Sequence, residues 1–88
     1  MVRAHIHFFG TVQGVGFRYT CLSIAQQLSL TGWVKNLSDG SVQAEIEGPR
    51  EKIDELLSQL KGQFGSFIRE QKIEWVEARA QFDKFSII

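Results

Sequence analysis

The segment Gly10–Arg18, GTVQGVGFR, concentrates the residue types that can hold an anion. Glycine-rich backbone brings its N–H groups close to a ligand, and Gly14 and Gly16 suit that role. Gly10 better suits the tight turn out of a preceding strand. Arg18 adds a forked cation that can take two phosphate oxygens at once. It falls where a helical pattern begins, and the positive end of a helix disfavours a cation while it favours a bound anion. A second piece, GWVKNLSDGSV, places Asn36 at a strand end beside a turn. Its amide can accept a hydrogen bond from water and donate another, but it is too weak a base to deprotonate one. Spacing alone leaves a second reading of Asn36 open, a hairpin residue that tolerates left-handed dihedrals. The two pieces together point to phosphate chemistry.

The elements that must position these residues follow from periodicity. Val2, Ala4, Ile6 and Phe8 alternate with Arg3, His5 and His7, which predicts a strand with one buried face. Phe17, Cys21, Ile24, Ala25 and Leu28 recur at helical spacing, with Leu22 off the stripe and partly covered. Residues 31–36 read as a second strand, and Asp39-Gly40 as a hairpin turn. Val42, Ala44 and Ile46 alternate with Gln43, Glu45 and Glu47 in a third strand with a solvated acidic face. Pro49 suits the first position of a second helix, whose stripe is Ile53, Leu56, Leu57, Leu60 and Phe64 and whose end is Gly62 or Gly65. Residues 68–78 read as a fourth strand, although the adjacency of Trp75 and Val76 leaves its phase open. Residues 82–88 have room for a short fifth. The order strand, helix, strand, strand, helix, strand predicts one α+β domain over residues 1–88. It has the ferredoxin-like, split βαβ arrangement: an antiparallel sheet of four to five strands with two helices on one face.

Composition narrows the function classes. The 88 residues carry ten basic and ten acidic side chains, so net charge is zero and no electrostatic footprint for nucleic acid or anionic membrane exists. Glutamates on the third strand repel a phosphate backbone, against an RNA-binding reading of the same fold. No apolar run is long enough to span a membrane, and the N-terminus lacks a signal-peptide pattern. The single cysteine agrees with a reducing compartment, so the cytoplasm is the expected location, and a monomer is the default expectation. Cys21 lies on the apolar stripe and reads as core, as do Trp33, Trp75 and most phenylalanines. His5 and His7 share one strand face, but two ligands without a third make a weak metal site, and exposed sheet-face histidines are the simpler reading.

GTVQGVGFR, GWVKN and DGSV, at these separations, resemble the acylphosphatase family, and the likeness extends over the whole chain, including the Gly-Pro before the second helix and the Phe-Ser-Ile near the C-terminus. The resemblance implies hydrolysis of carboxyl–phosphate anhydrides to a carboxylate and inorganic phosphate, with no metal and no organic cofactor. By position it assigns phosphate binding to Arg18 and to the loop Gln13, Gly14, Val15, Gly16 and Phe17, acting largely through backbone N–H groups. It assigns orientation of the attacking water to Asn36. Inorganic phosphate or sulfate should compete for the same cradle. Alternatives on this fold are an RNA-binding module, a sensor that binds acyl phosphates without turnover, and a piece of a larger carbamoyl-transfer enzyme. The length of the chain favours a stand-alone protein over the last.

Overall fold

In a computed structural model that describes residues 1–88, the chain forms β1 (Val2–Gly10), α1 (Phe17–Gln27), β2 (Thr31–Asn36), β3 (Val42–Gly48), α2 (Arg50–Phe64), β4 (Ile68–Glu77) and β5 (Phe85–Ile87). The strands make one sheet in the order β4-β1-β3-β2-β5. β1 pairs antiparallel with β3 and β4, and β2 pairs antiparallel with β3. β5 pairs parallel with β2, so the sheet is mixed rather than antiparallel throughout. The cause is directional. β4 runs opposite to β1, and the chain must reverse after β4 to reach the far edge. β5 therefore runs the same way as β2.

Both helices pack on one face of the sheet. Phe17, Cys21, Ile24 and Ala25 are the buried face of α1, and Ile53, Leu56, Leu57 and Leu60 that of α2. They meet Ala4, Ile6 and Phe8 of β1, Val34 of β2 and Val42, Ala44 and Ile46 of β3 in a single cluster. Burying side chains of this size stabilises by about 1.5–3 kcal/mol each. Gly65 ends α2, its N–H donating to the Lys61 carbonyl. Pro49 sits one residue earlier than expected, in extended backbone immediately before the helix.

Pairing settles the phase of β4. Trp75 lies opposite Ala4 and Ile73 opposite Ile6, so both join the helix side, while Val76 lies opposite Arg3 on the other face. Trp75 also lies under the Arg50 guanidinium, 4.1 Å from its ring centroid. Trp33 departs from its expected place in the core. It pairs with Glu45 on the helix-free face, beneath the Lys35 ammonium.

That face is less solvated than alternation predicts. Arg3 and Glu47 are both buried, joined at 2.8 Å through the Arg3 Nε–H. The connection between β4 and β5 folds over them. Arg79 and Ala80 donate their backbone N–H groups to Glu47, and the Gln81 side-chain oxygen accepts from Arg3. The Phe82 ring lies 4.6 Å from the Arg3 guanidinium carbon. His5 and His7 are half-buried rather than exposed, bonded to Glu45 and Ser41 respectively.

Candidate active site

Strand direction brings the two sequence motifs together. β1 and β2 both run antiparallel to β3, so both end at the same edge of the molecule. The segment after β1 and the last residue of β2 therefore share that end. Phe8, Val42 and Asn36 form one row across the sheet. Asn36 follows Val34 by two residues, so its side chain projects to the helix side, where an apolar residue would continue the pattern. Gly14, Gly16, Phe17, Arg18, Tyr19 and Asn36 line one cleft of about 210 Å³, with buried Val12 beneath. Arg18, Asn36, Gly14, Gly16 and Phe17 are thus brought together, and Gln13 and Val15 stand outside the lining.

The curl after β1 has identifiable causes. Gly10 has φ +131°, and a Cβ there would run into the backbone carbonyl of Phe67, so its glycine serves the close approach of two chains. Gly14 and Gly16 have φ +76° and +80°, and a Cβ on either would meet nothing within 4 Å. Left-handed backbone on both sides of Val15 is the conformation that can aim successive N–H groups at one ligand. None of the N–H groups from Gln13 to Gly16 donates to a backbone carbonyl, and the ladder of α1 starts with Thr20 N–H on the Gly16 carbonyl at 3.0 Å. The N–H groups of Phe17, Arg18 and Tyr19 thus have no acceptor in their own helix. The first turn carries no acidic residue to neutralise the helix end.

Packing fixes the curl from below. The Phe17 ring is buried, with ring centroids of Phe8 and Phe64 each 4.9 Å away. Val15 packs against the same core. Gln13 fixes it from the side. Its side-chain amide donates to the Leu37 carbonyl at 2.7 Å and to the Ser41 carbonyl at 2.9 Å. These bonds are not legible in the sequence, because a glutamine in a glycine-rich loop carries no periodic signal.

Two polar groups in the cleft lack partners. Every ion pair in the protein involves Arg3 or His5, and the Arg18 guanidinium makes none. The Asn36 side-chain oxygen is buried and accepts no hydrogen bond. A buried acceptor left unpaired costs about 1–3 kcal/mol, so this arrangement needs a donor to complete it. Beyond Asn36, the Asp39 carboxylate is held below the usual carboxylate range by the Ser41 hydroxyl, then by the Ser41 N–H. Both bonds order the turn that follows the asparagine.

A family model, curated relatives and a solved structure point to one family. Residues 4–87 match the family model described as Acylphosphatase. An acylphosphatase of Pyrobaculum islandicum is 39% identical over 89 residues, which cover 99% of this chain and 94% of that protein. An acylphosphatase of Trichormus variabilis is 51% identical over 57 residues, or 65% of this chain, and the match spans only 56% of that relative's length. The crystal structure of acylphosphatase from Bacillus subtilis superposes with a TM-score of 0.92 at 32% identity, covering 100% of this chain and 99% of that one.

Proposed function

The chain belongs to the acylphosphatase family, and on that premise we propose that it hydrolyses small acyl phosphates to a carboxylate and inorganic phosphate at the cleft between the 13–17 loop and Asn36. The observation that carries this reading is a buried amide oxygen without a donor, in one cleft with a guanidinium that makes no ion pair. They are complementary to a phosphoryl anion and a water.

An acyl phosphate is already activated. Its leaving group is a carboxylate, a weak base that departs without a strong general acid. What remains is to hold the phosphoryl group and aim a water at phosphorus. Arg18 and the backbone N–H groups of Gln13, Gly14, Val15, Gly16 and Phe17 bind the phosphoryl oxygens in this reading. Preorganised donors stabilise the charge there better than mobile water does. The Asn36 oxygen accepts a hydrogen bond from the attacking water. A P–O bond to water forms, the P–O bond to the acyl group breaks, and the carboxylate leaves with the electron pair. Asn36 cannot hold the water's proton, which passes to a phosphoryl oxygen or to solvent.

The substrate is a small molecule, and inorganic phosphate or sulfate occupies the same cradle as a competitive inhibitor. The enzyme acts as a cytoplasmic monomer in this reading, and no helix is long and apolar enough to cross a membrane. The test is phosphate release from acetyl, benzoyl and carbamoyl phosphates, with a phosphomonoester as control. Rapid release from the anhydrides, slow release from the ester and competitive inhibition by phosphate are expected. Binding of benzoyl phosphate without turnover would convert the reading to that of a sensor.

A further inference from the structure

The Gln13 side chain stands where the two halves of the proposed site meet. Its backbone belongs to the anion loop, but its amide turns away from the cleft lining and reaches the turn after Asn36. The Gln13 nitrogen donates to both the Leu37 and the Ser41 carbonyls, over sequence separations of 24 and 28 residues. Leu37 is held a second time, because its own N–H donates to the Ser41 carbonyl at 2.8 Å. The peptide unit that follows Asn36 is thereby fixed at its N–H by Ser41 and, one carbonyl further on, by Gln13.

This matters because Asn36 is otherwise anchored from one side only. Its backbone is the last rung of β2, opposite Val42, and its side-chain oxygen makes no bond. The loop and the strand end come from separate elements, and β3 lies between β1 and β2 in the sheet. Side-chain hydrogen bonds directly from the anion loop to the Asn36 turn come from Gln13 alone. We propose that Gln13 is a positioning residue: its amide clamps the loop that holds the phosphoryl group to the turn that carries Asn36, and so sets the distance from phosphorus to the water. The chemistry selects glutamine. The clamp needs two N–H donors on one nitrogen facing two carbonyl oxygens. A glutamate of the same shape would set carboxylate oxygens against them.

The inference rests on the reading of Asn36 as the water-orienting group, and the experiment separates the two. Gln13→Met keeps length and removes both donors. Its kcat for benzoyl phosphate should fall about 10- to 100-fold, the scale of a misplacement near 1 Å. The inhibition constant of inorganic phosphate should stay within about threefold, because the loop itself is still shaped by Gly14, Gly16 and the buried Phe17. In an Asn36→Ala background the same substitution should cost kcat almost nothing further, since it acts through Asn36. Additive losses in the double variant, or a wild-type kcat for Gln13→Met, would overturn the clamp and leave the Asn36 reading standing. A wild-type kcat for Asn36→Ala would instead remove that reading and the clamp's purpose with it. Should Gln13→Met not fold, the wild-type protein supplies the measurement. The Gln13 side-chain amide protons should exchange slowly with solvent, and free exchange of both would overturn the proposal.

Discussion

The two ends of the sheet each hold an arginine, and they treat it in opposite ways. At the end where β1 starts and β3 finishes, Arg3 is buried and fully engaged: Glu47 at 2.8 Å, Gln81 at 3.0 Å, Glu45 at 3.7 Å and the Phe82 ring against its plane. At the end where β1 and β2 finish, Arg18 is half-buried and makes no ion pair, beside an amide oxygen with no donor. The first end has closed its electrostatics within the protein. The second leaves complementary valences for something that is not protein. Folding favours satisfied groups, so a buried amide oxygen without a donor, beside a cation without an ion pair, supports the functional reading proposed for this end.

The sharpest way to break this contrast is to remove each arginine in turn. Arg18→Ala should lower kcat/KM by about 10³-fold, with KM raised and kcat reduced, since on the proposed reading it deletes a bidentate charged contact to the phosphoryl group. Its melting temperature should change little, because Arg18 makes no ion pair. Steady-state kinetics and a thermal melt on the same sample read both. A large loss of stability with intact kcat/KM would reverse the roles of the two ends. Arg3→Ala should do the opposite. It leaves Glu47 buried and short of its cation, at a cost of about 3–5 kcal/mol to unfolding measured by urea titration. The kcat per folded molecule should stay at the wild-type value.

Asn36→Ala comes next in size. It should lower kcat by about 10²-fold while the inhibition constant of inorganic phosphate stays near the wild-type value. An equal loss in phosphate affinity would make Asn36 a binding group. The substitution also removes an unsatisfied buried polar atom. Stability should hold or rise slightly, which a hairpin asparagine needed for its backbone conformation would not allow.

Much of this contrast was legible in the residues. Glycines and a cation at a strand-to-helix junction have few structural uses together, so GTVQGVGFR was legible as the candidate site, and the structure gathers Gly14, Gly16, Phe17 and Arg18 in one cleft with Asn36. Asn36 was legible only as a polar residue at a strand end beside a turn, and its facing to the helix side follows from the register that sets it in a row with Val42 and Phe8. The hidden parts depend on contacts far apart in sequence. Alternation put Glu47 on a solvated face, but it says nothing of residues 78–84, which fold over that face and supply N–H groups to its carboxylate. Trp75 and Val76 cannot be phased locally, since either can face the helices, and pairing with Ala4 decides it. Trp33 has core composition, yet it lies one residue before Val34, and alternation assigns it to the opposite face once the register is known. The parallel pairing of β5 follows from the path of the chain and not from its own three residues.

A smaller effect sharpens the structural end of the comparison. Burial pushes the Glu47 carboxyl up, but the Arg79 N–H, the Arg3 guanidinium and the Ala80 N–H outweigh it and hold it below the usual range. A carboxylate with a depressed folded value contributes its stability above the unfolded pKa of about 4.3 and loses it as pH falls through the folded value. Urea midpoints should therefore fall as pH drops below about 4, and Glu47→Gln should flatten that slope. A slope unchanged by the substitution would place the acid sensitivity elsewhere.

The smallest expected effect concerns a thiol next to the active end. Cys21 lies one turn beyond Phe17 on α1, and its nucleophilic type makes it a rival for chemistry near Arg18. It shares the apolar stripe of Phe17 and is fully buried in the core, and burial pushes its pKa up to about 12. The thiolate that alkylating agents require is therefore scarce at neutral pH, and the folded protein shields it. Native protein treated with iodoacetamide at pH 8 should keep its full activity and gain no mass, whereas urea-unfolded protein should be alkylated once. Cys21→Ala should change kcat by less than about twofold, its cost falling on stability through a small cavity. Inactivation of the folded protein at the rate of alkylation would put a nucleophile where the fold shows only packing.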